Sequence, residues 1–180
     1  FPNTLVGMMA AKYRPHVRAY ALPVQHLLSL RQIERERRRL LRDPEIRSIF
    51  EAARSVDIAL CGIGLIAEST PGFCAAAEAY GVSVKRLRQL GVVGEINYQP
   101  FDADGRIVDR PELRALMHRV LSVEGEQLRT LSRRENHTVI AVAGGRAKVD
   151  AVRGALRGGF MNVLVTDEDC AAGLLGRSTS

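Results

Sequence analysis

Aromatic residues, cysteines and long apolar runs are all scarce in this sequence. Tryptophan is absent, and aromatic residues make up 5% of the 180 residues. No apolar run approaches the roughly 20 residues of a membrane-spanning helix, so such a span is excluded and no membrane partner is expected. The three cysteines, Cys61, Cys74 and Cys170, form no C-x-x-C pair. This argues against a metal site and is typical of a reducing cytoplasm, where we expect the protein.

The charge is unbalanced, because 26 Lys and Arg residues face 20 Asp and Glu residues and give a net charge of +6. A basic chain can bind nucleic acid. Much of the excess lies in one predicted helix, which contains Arg31, Arg35, Arg37, Arg38, Arg39 and Arg42. The low aromatic content leaves little for stacking on bases. It favours a solvated or subunit-facing helix surface, with Glu34 paired to Arg38.

The rest of the composition is that of one globular domain. Hydrophobic residues make up 46% and charged residues 26% of the chain, and 180 residues suffice for a sizeable core. No repeat, low-complexity stretch or linker interrupts it, so we expect a single domain over residues 1–180. The sequence begins Phe1-Pro2-Asn3 without an initiator methionine. We therefore expect it to be a piece of a longer protein.

The clearest local pattern is a strand, a helix and a second strand, each separated by paired glycines, over residues 138–166. The first apolar β-branched run predicts a strand buried on both faces. Apolar residues then recur at helical spacing until the next glycine pair ends the helix. The pattern is typical of a βαβ unit. Its parts are Val139–Ala143, Gly144-Gly145, a helix from Ala147, Gly158-Gly159, and Met161–Val165.

This unit has the properties of an anion site. Ligands of parallel sheets bind beyond the carboxyl ends of the strands, where Gly144 and Gly145 lie. Glycines let a ligand approach the backbone, and the amides at the start of the next helix are free. Lys148 is predicted in that helix's first turn and adds a charge. A tight turn followed by a solvated lysine explains the same pattern equally well.

The remaining elements follow from spacing, caps and breakers. Asp43, Ser83 and Thr166 are the expected N-caps of three helices. The predicted helices are Thr4–Tyr13, Leu27–Leu41, Pro44–Ser55, Ala75–Tyr80, Ser83–Leu90, Pro111–Leu116, Glu124–Leu131 and one from Thr166. The predicted strands are Val17–Leu22, Val56–Cys61, Gly91–Ile96 and Val120–Val123.

Three motifs in order resemble the effector-binding domain of SorC-family bacterial transcriptional regulators. They are G-I-G at residues 62–64, G-V-V-G-E-I followed by F-D-A-D-G within residues 91–105, and A-G-G-R-A-K through T-D-E within residues 143–168. The resemblance implies an α/β fold, a Rossmann-like mainly parallel sheet flanked by helices, similar to sugar-phosphate isomerases and deaminases. It also implies a DNA-binding domain, a first strand and a phosphate loop before this chain, and we find none of them here.

The resemblance further implies a function. The domain would bind a phosphorylated sugar and control DNA binding and oligomerisation, as a homodimer or homotetramer, without a cofactor or metal. DNA would be bound only through the missing N-terminal domain. The implied effector-binding residues are Gly62, Ile63, Gly64, Gly94, Glu95, Phe101, Asp102, Gly144, Gly145 and Lys148.

Roles within that set come from side-chain chemistry. Glu95 and Asp102 are expected to accept hydrogen bonds from sugar hydroxyls, and Lys148 is expected to clamp a phosphate. The alternative is that Asp102 and Asp104 only shape a hairpin turn. Gly62 and its neighbours likewise suit a tight strand-to-loop turn.

Two other function classes stay open. An isomerase or aldolase-like enzyme would need a positioned base or nucleophile, with Lys148 as a Schiff base or Glu95 and Asp102 as an acid–base pair. None of the four histidines lies in a glycine motif, so we expect no catalytic residue. They are His16, His26, His118 and His137. A purely structural dimerisation domain is the third class.

Overall fold

Two small sheets and nine helices make up the computed structural model, which describes residues 2–13, 17–22, 29–68 and 72–176. The helices are α1 (Pro2–Lys12), α2 (Leu30–Leu40), α3 (Pro44–Ala53), α4 (Phe73–Ala79), α5 (Val84–Gln89), α6 (Arg114–His118), α7 (Gly125–Ser132), α8 (Val149–Gly158) and α9 (Glu168–Leu174). The strands are β1 (Ile58–Gly62), β2 (Gly64–Leu65), β3 (Gly94–Ile96), β4 (Gln99–Phe101), β5 (Thr138–Val142) and β6 (Val163–Val165). Short 3-10 turns occupy Pro111–Leu113 and Arg146–Lys148. No helix among these residues is long and apolar enough to cross a membrane.

The first sheet is parallel, with strand order β1-β5-β6. One of its faces carries Val139 and Ala141, which are buried against α7, α8 and α9 in the main core. This confirms the predicted α/β fold with a parallel sheet flanked by helices, and the predicted βαβ unit β5-α8-β6. The second sheet, β2-β3-β4, is antiparallel.

The other face of the parallel sheet is uncovered in the described part of the chain. Ile140 at its centre is half-buried, and the apolar residues around it are between 39% and 65% exposed, namely Ile58, Leu60, Val142, Val163 and Val165. The prediction that the β5 run is buried on both faces is therefore wrong for Val142. Parallel sheets are normally covered on both faces, so this face is unusual.

Several predicted boundaries are confirmed because their signals are local. The Asp43 carboxylate accepts from the amides of Glu45 and Ile46 at 2.9 and 3.2 Å, directly before α3. Ser83 accepts from the Arg86 amide and caps α5. Gly159 ends α8 in the left-handed region, at φ 64°, where a glycine is favoured.

Other predictions are wrong. Residues 17–22 and 120–123 form no strand. Helix α2 begins at Leu30, because Ser29 and Gln32 form a capping box that fixes its start. Asp167, not Thr166, caps α9, since its carboxylate accepts from the Cys170 amide at 2.9 Å. The predicted start of the α2 helix at Leu27 falls on a residue that the structure does not describe.

The F-D-A-D-G turn packs its backbone directly against α8. Phe101 is fully buried, 5.4 Å from Phe160 between ring centres. Gly105 has a φ of +76°, and a Cβ there would overlap the backbone of Gly154 and Gly158. Glycine is therefore required at this position for two reasons. Its positive φ is strained for other residues, and no space is left for a side chain.

We predict that these two reasons can be separated by two substitutions. Gly91 has a φ of +79° and open space around it, so Gly91→Ala should cost only the backbone strain, about 1–2 kcal/mol. Gly105→Ala should cost a further 1–3 kcal/mol or so from overpacking. Urea unfolding of both variants measures the difference. Equal costs would show that the turn does not press on α8.

Candidate functional site

The carboxyl ends of the three parallel strands meet at one edge of the sheet. Gly62 is paired with Val142, and Val142 is paired with Val165. Three segments therefore leave the sheet side by side, namely the loop after β1, the glycine loop after β5 and the residues after β6. This is the edge at which parallel sheets bind ligands.

Lys148 connects two of these segments. Its ammonium donates a 2.8 Å hydrogen bond to the carbonyl oxygen of Ile63. The backbone of Lys148 lies in the 3-10 turn before α8 and not in the first turn of α8, so that detail of the prediction is wrong. The structure therefore brings the Gly62–Gly64 loop and the Gly144-Gly145 loop together, with Lys148 between them.

Glu95 lies at the same place, reaching it from β3. Its carboxylate accepts from the Tyr98 amide at 2.9 Å and packs on Gly64, where a Cβ would overlap it. Burial raises the pKa of Glu95, while the Tyr98 amide and the charge of Lys148 oppose that rise. A partly buried carboxylate therefore lies near enough to a partly buried ammonium for its pKa to respond to that charge.

Asp167, which follows the third strand, also lies in this cluster, although it was not among the site residues predicted from the sequence. One carboxylate oxygen accepts from the Gly145 amide at 2.6 Å, and the other accepts from the Cys170 amide. A side chain at Gly144 would overlap this carboxylate. The amide predicted to be free for an anion is thus already bonded to an acid. The signal available in sequence was an Asp two residues after a predicted strand and just before a helix.

The charges at the strand ends favour hydroxyl groups over a phosphate. The ionised forms of Glu95 and Asp167 carry two negative charges against one positive charge from the partly buried Lys148, and Arg146 of the same 3-10 turn adds a second positive charge at an exposed position. A phosphate dianion would add repulsion, whereas a sugar hydroxyl can donate to a carboxylate and accept from an ammonium. The neighbouring Thr166 hydroxyl is buried and has no hydrogen-bond partner in the part of the chain that the structure describes.

The structure places three other predicted site residues apart from this cluster. The Asp102 carboxylate accepts from the amides of Asp104 and Arg106 at 3.0 and 2.9 Å, which is the hairpin-shaping alternative. The backbone of Asp102 packs on Gly154, about 9 Å along α8 from Lys148 at 1.5 Å per residue. Phe101 and Gly94 face the core, where a Cβ at Gly94 would overlap Phe101.

The thiol at this edge is unreactive, and the described residues contain no cluster of metal-binding side chains. Burial, followed by the charge of Glu95, raises the pKa of the Cys61 thiol to about 11, so this thiol is protonated at neutral pH. Among residues 2–13, 17–22, 29–68 and 72–176, no group of three His, Cys, Asp or Glu side chains could hold a metal ion. His16 and His26 lie outside the described residues.

Comparison with known proteins gives consistent relatives. Residues 1–176 match the family described as "Putative sugar-binding domain". The chain is 29% identical over 131 residues to the transcriptional regulator LsrR of Escherichia coli K12, covering 72% of this chain and 39% of LsrR. It is 28% identical over 159 residues to the erythritol catabolism regulatory protein EryD of Brucella abortus, covering 88% and 46%. The chain thus spans less than half the length of these curated relatives.

Solved structures agree with the sequence relatives. The full-length sorbitol operon regulator SorC from Klebsiella pneumoniae superposes with a TM-score of 0.74 at 27% identity, covering 96% of this chain and 51% of SorC. A probable sor operon regulator from Shigella flexneri gives a TM-score of 0.66 at 26% identity, covering 88% and 55%.

We predict that Glu95→Gln changes the pH dependence of stability. The unfolded carboxyl ionises near its ordinary pKa of 4.5, whereas the folded carboxyl has a raised pKa. The stability that the protonated group provides is present below 4.5 and is lost as the pH rises through the folded pKa. Glu95→Gln should remove this loss and should be more stable than the wild type at neutral pH, because Gln keeps an acceptor for Tyr98.

Urea unfolding at about pH 4 and about pH 7 measures this effect. Glu78→Gln, at an exposed position on α4, is the matched control and should leave the pH dependence as it is. A difference between Glu95→Gln and wild type that does not change with pH would contradict the prediction.

Proposed function

Because the chain belongs to the sugar-binding domain family of SorC-type transcriptional regulators, we propose that it is the ligand-sensing domain of such a regulator. Its ligand is a phosphorylated sugar, and ligand binding changes how the regulator binds DNA and assembles. Sequence-specific DNA contacts belong to a separate domain. The regulator acts in the cytoplasm.

One observation carries this proposal, the cluster of Glu95, Lys148 and Asp167 at the carboxyl ends of three parallel strands. An ammonium has three N–H donors, and Lys148 uses one of them on Ile63. Two donors of Lys148 are therefore left for ligand oxygens. The two carboxylates supply acceptors for hydroxyl protons, and such charge-assisted bonds are the stronger kind.

We assign the hydroxyl-bearing part of the sugar to this cluster and the phosphate to another part of the regulator. The support is electrostatic, since the Asp167 carboxylate already accepts from the Gly145 amide and would repel a phosphate there. An intact regulator also has other residues that could bind the phosphate, because the curated relatives are more than twice as long as the parts that match this chain. Lys148 then acts on sugar oxygens and not as a phosphate clamp. Gly62, Ile63, Gly64, Gly144 and Gly145 form the backbone of the site.

Sensing is favoured over catalysis on two grounds. The relatives are named as regulators. At the strand ends the Cys61 thiol is protonated at neutral pH and Lys148 is bonded to a carbonyl, so neither group is an activated nucleophile. Steady conversion of a sugar phosphate by the pure protein would overturn this part of the proposal.

The homodimer or homotetramer remains part of the proposal. Its support is the uncovered apolar face of the parallel sheet, because contiguous apolar patches on a protein surface mark interaction sites. Sedimentation of the intact regulator with and without ligand tests it, and a monomer under both conditions would contradict it.

We predict that Lys148→Ala weakens sugar-phosphate binding by about ten- to a hundredfold, the loss of roughly 1.5–3 kcal/mol expected for one charge-assisted bond. Stability should fall by about 1 kcal/mol, because the bond to Ile63 is also lost. Ligands are first found by thermal shift over a panel of sugars and sugar phosphates, and affinities are then measured by calorimetry in the intact regulator. Lys85→Ala, at an exposed position on α5, is the control. Unchanged affinity in folded Lys148→Ala protein would exclude its role.

We predict that Asp167→Asn leaves the affinity ratio between a phosphorylated sugar and its unphosphorylated form unchanged within about twofold. Asparagine still caps a helix, so α9 should remain folded. If the phosphate instead lies at Gly145, removal of this negative charge would strengthen phosphorylated ligands selectively, by about tenfold or more. Calorimetry with the matched pair of ligands distinguishes the two positions of the phosphate.

A further inference from the structure

Four arginines form a stripe along one side of α2 and the turn after it. They are Arg31, Arg35, Arg38 and Arg42, all exposed, and we call them the arginine stripe. Their spacing of four, three and four residues places them on one face of a helix. The apolar residues Ile33 and Leu40 of the same helix are buried in the protein. The stripe therefore faces solvent.

The stripe is not neutralised by the protein. Glu36 pairs with Arg39, and Glu124 pairs with Arg37 at 3.4 Å. The predicted pair of Glu34 with Arg38 does not form, and none of the four stripe arginines takes part in an ion pair within the residues that the structure describes. Residues 31–42 hold six arginines and two glutamates. Most of the chain's excess positive charge therefore lies on this one segment.

The composition of this surface decides which partner it fits. The residues next to the stripe on the exposed side are Gln32, Glu34 and Arg39, and Leu41 beside Arg42 packs on the protein's own core, so no exposed large apolar side chain lies on this surface among the described residues. Protein interfaces have apolar or aromatic cores, and a membrane-binding helix needs an apolar face toward the lipid. A surface of arginines alone fits phosphates, which the guanidinium group binds in a bidentate manner.

The spacing fits a chain of phosphates better than a single one. From Arg31 to Arg38 the helix rises about 10 Å at 1.5 Å per residue, and Arg42 extends the stripe in the turn after α2. Duplex DNA carries one negative charge per about 1.7 Å of its axis, so a helix of this length lies beside several phosphates at once. A single small anion would meet only one or two of the four side chains.

We propose that the arginine stripe binds the phosphate backbone of duplex DNA without regard to sequence. The inference rests on the proposed function, because a regulator brings its sensing domain close to DNA. It departs from the expectation that DNA is bound only through a separate domain. Base contacts by that domain specify the sequence, whereas backbone contacts by α2 position the protein on the duplex.

The test compares this chain with two fourfold variants of equal charge. The stripe variant replaces Arg31, Arg35, Arg38 and Arg42 by Gln. The control replaces four exposed, unpaired and scattered residues by Gln, namely Lys85, Arg110, Arg133 and Arg134. Binding to a short random-sequence duplex is measured by fluorescence anisotropy from about 50 to about 200 mM salt.

Four phosphate contacts give a slope of log K against log salt of about −3.6, from −0.9 per contact. The wild type and the control should show this slope. The stripe variant should bind at least about tenfold more weakly at the lowest salt and should lose most of the slope. The sugar-phosphate thermal shift should be the same in all three proteins.

Three outcomes would overturn the proposal. Equal weakening in both variants would mean that net charge alone is responsible. No binding of duplex by the wild type at low salt would exclude the DNA contact. Stripe-dependent binding of polyglutamate in place of duplex would assign the stripe to an acidic protein. These outcomes differ from a failure of the proposed sensing function. In that case sugar phosphates would cause no thermal shift, while DNA binding would still depend on the stripe.

Discussion

The carboxylate of Asp167 is the contact on which the candidate site depends. It accepts from Gly145 in the loop after β5 and from Cys170 at the start of α9, so one side chain fixes a loop and a helix together. Lys148 adds the bond to the carbonyl oxygen of Ile63 in the loop after β1. With these two side chains in place, three strand ends that are separate in sequence become one surface. The strands themselves are held together by their backbone ladder, which the Ala143 amide continues by donating to the Val165 carbonyl oxygen, so these two side chains fix the loops beyond it.

Elements with local signals could be predicted from the sequence, and elements that need distant partners could not. The β5-α8-β6 unit was predictable because glycine pairs and helical spacing lie within its own residues. Residues 17–22 alternate as a strand does but pair with no neighbour among the described residues, and a strand exists only through its neighbours. Of the antiparallel sheet only β3 was predicted, within Gly91–Ile96, because β2 and β4 are two and three residues long.

The space that the site glycines leave beside the backbone could be predicted from the sequence, but the side chains that occupy this space could not. A glycine has no side chain to fill the space beside its backbone, and from the sequence we expect a ligand to occupy that space. In the structure the room beside Gly64 is filled by Glu95, and the room beside Gly144 is filled by Asp167. Neither acid is near its glycine in sequence, so only the fold reveals the pairing. A ligand at this edge therefore meets carboxylates before it meets the backbone.

The net charge of +6 is distributed unevenly, so that two surfaces of the protein differ in the balance of their charges. The strand-end cluster holds two acids and one lysine and suits the hydroxyl groups of a sugar, whereas the arginine stripe has no acid paired with it and suits phosphates. The strand-end cluster would be a poor site for a nucleic acid, because phosphates would meet two carboxylates. In the proposed sensing domain this separation keeps duplex DNA away from the sugar site, because the two acids of the cluster repel a phosphate backbone. Charge placement on the fold, and not total charge, therefore carries the functional information.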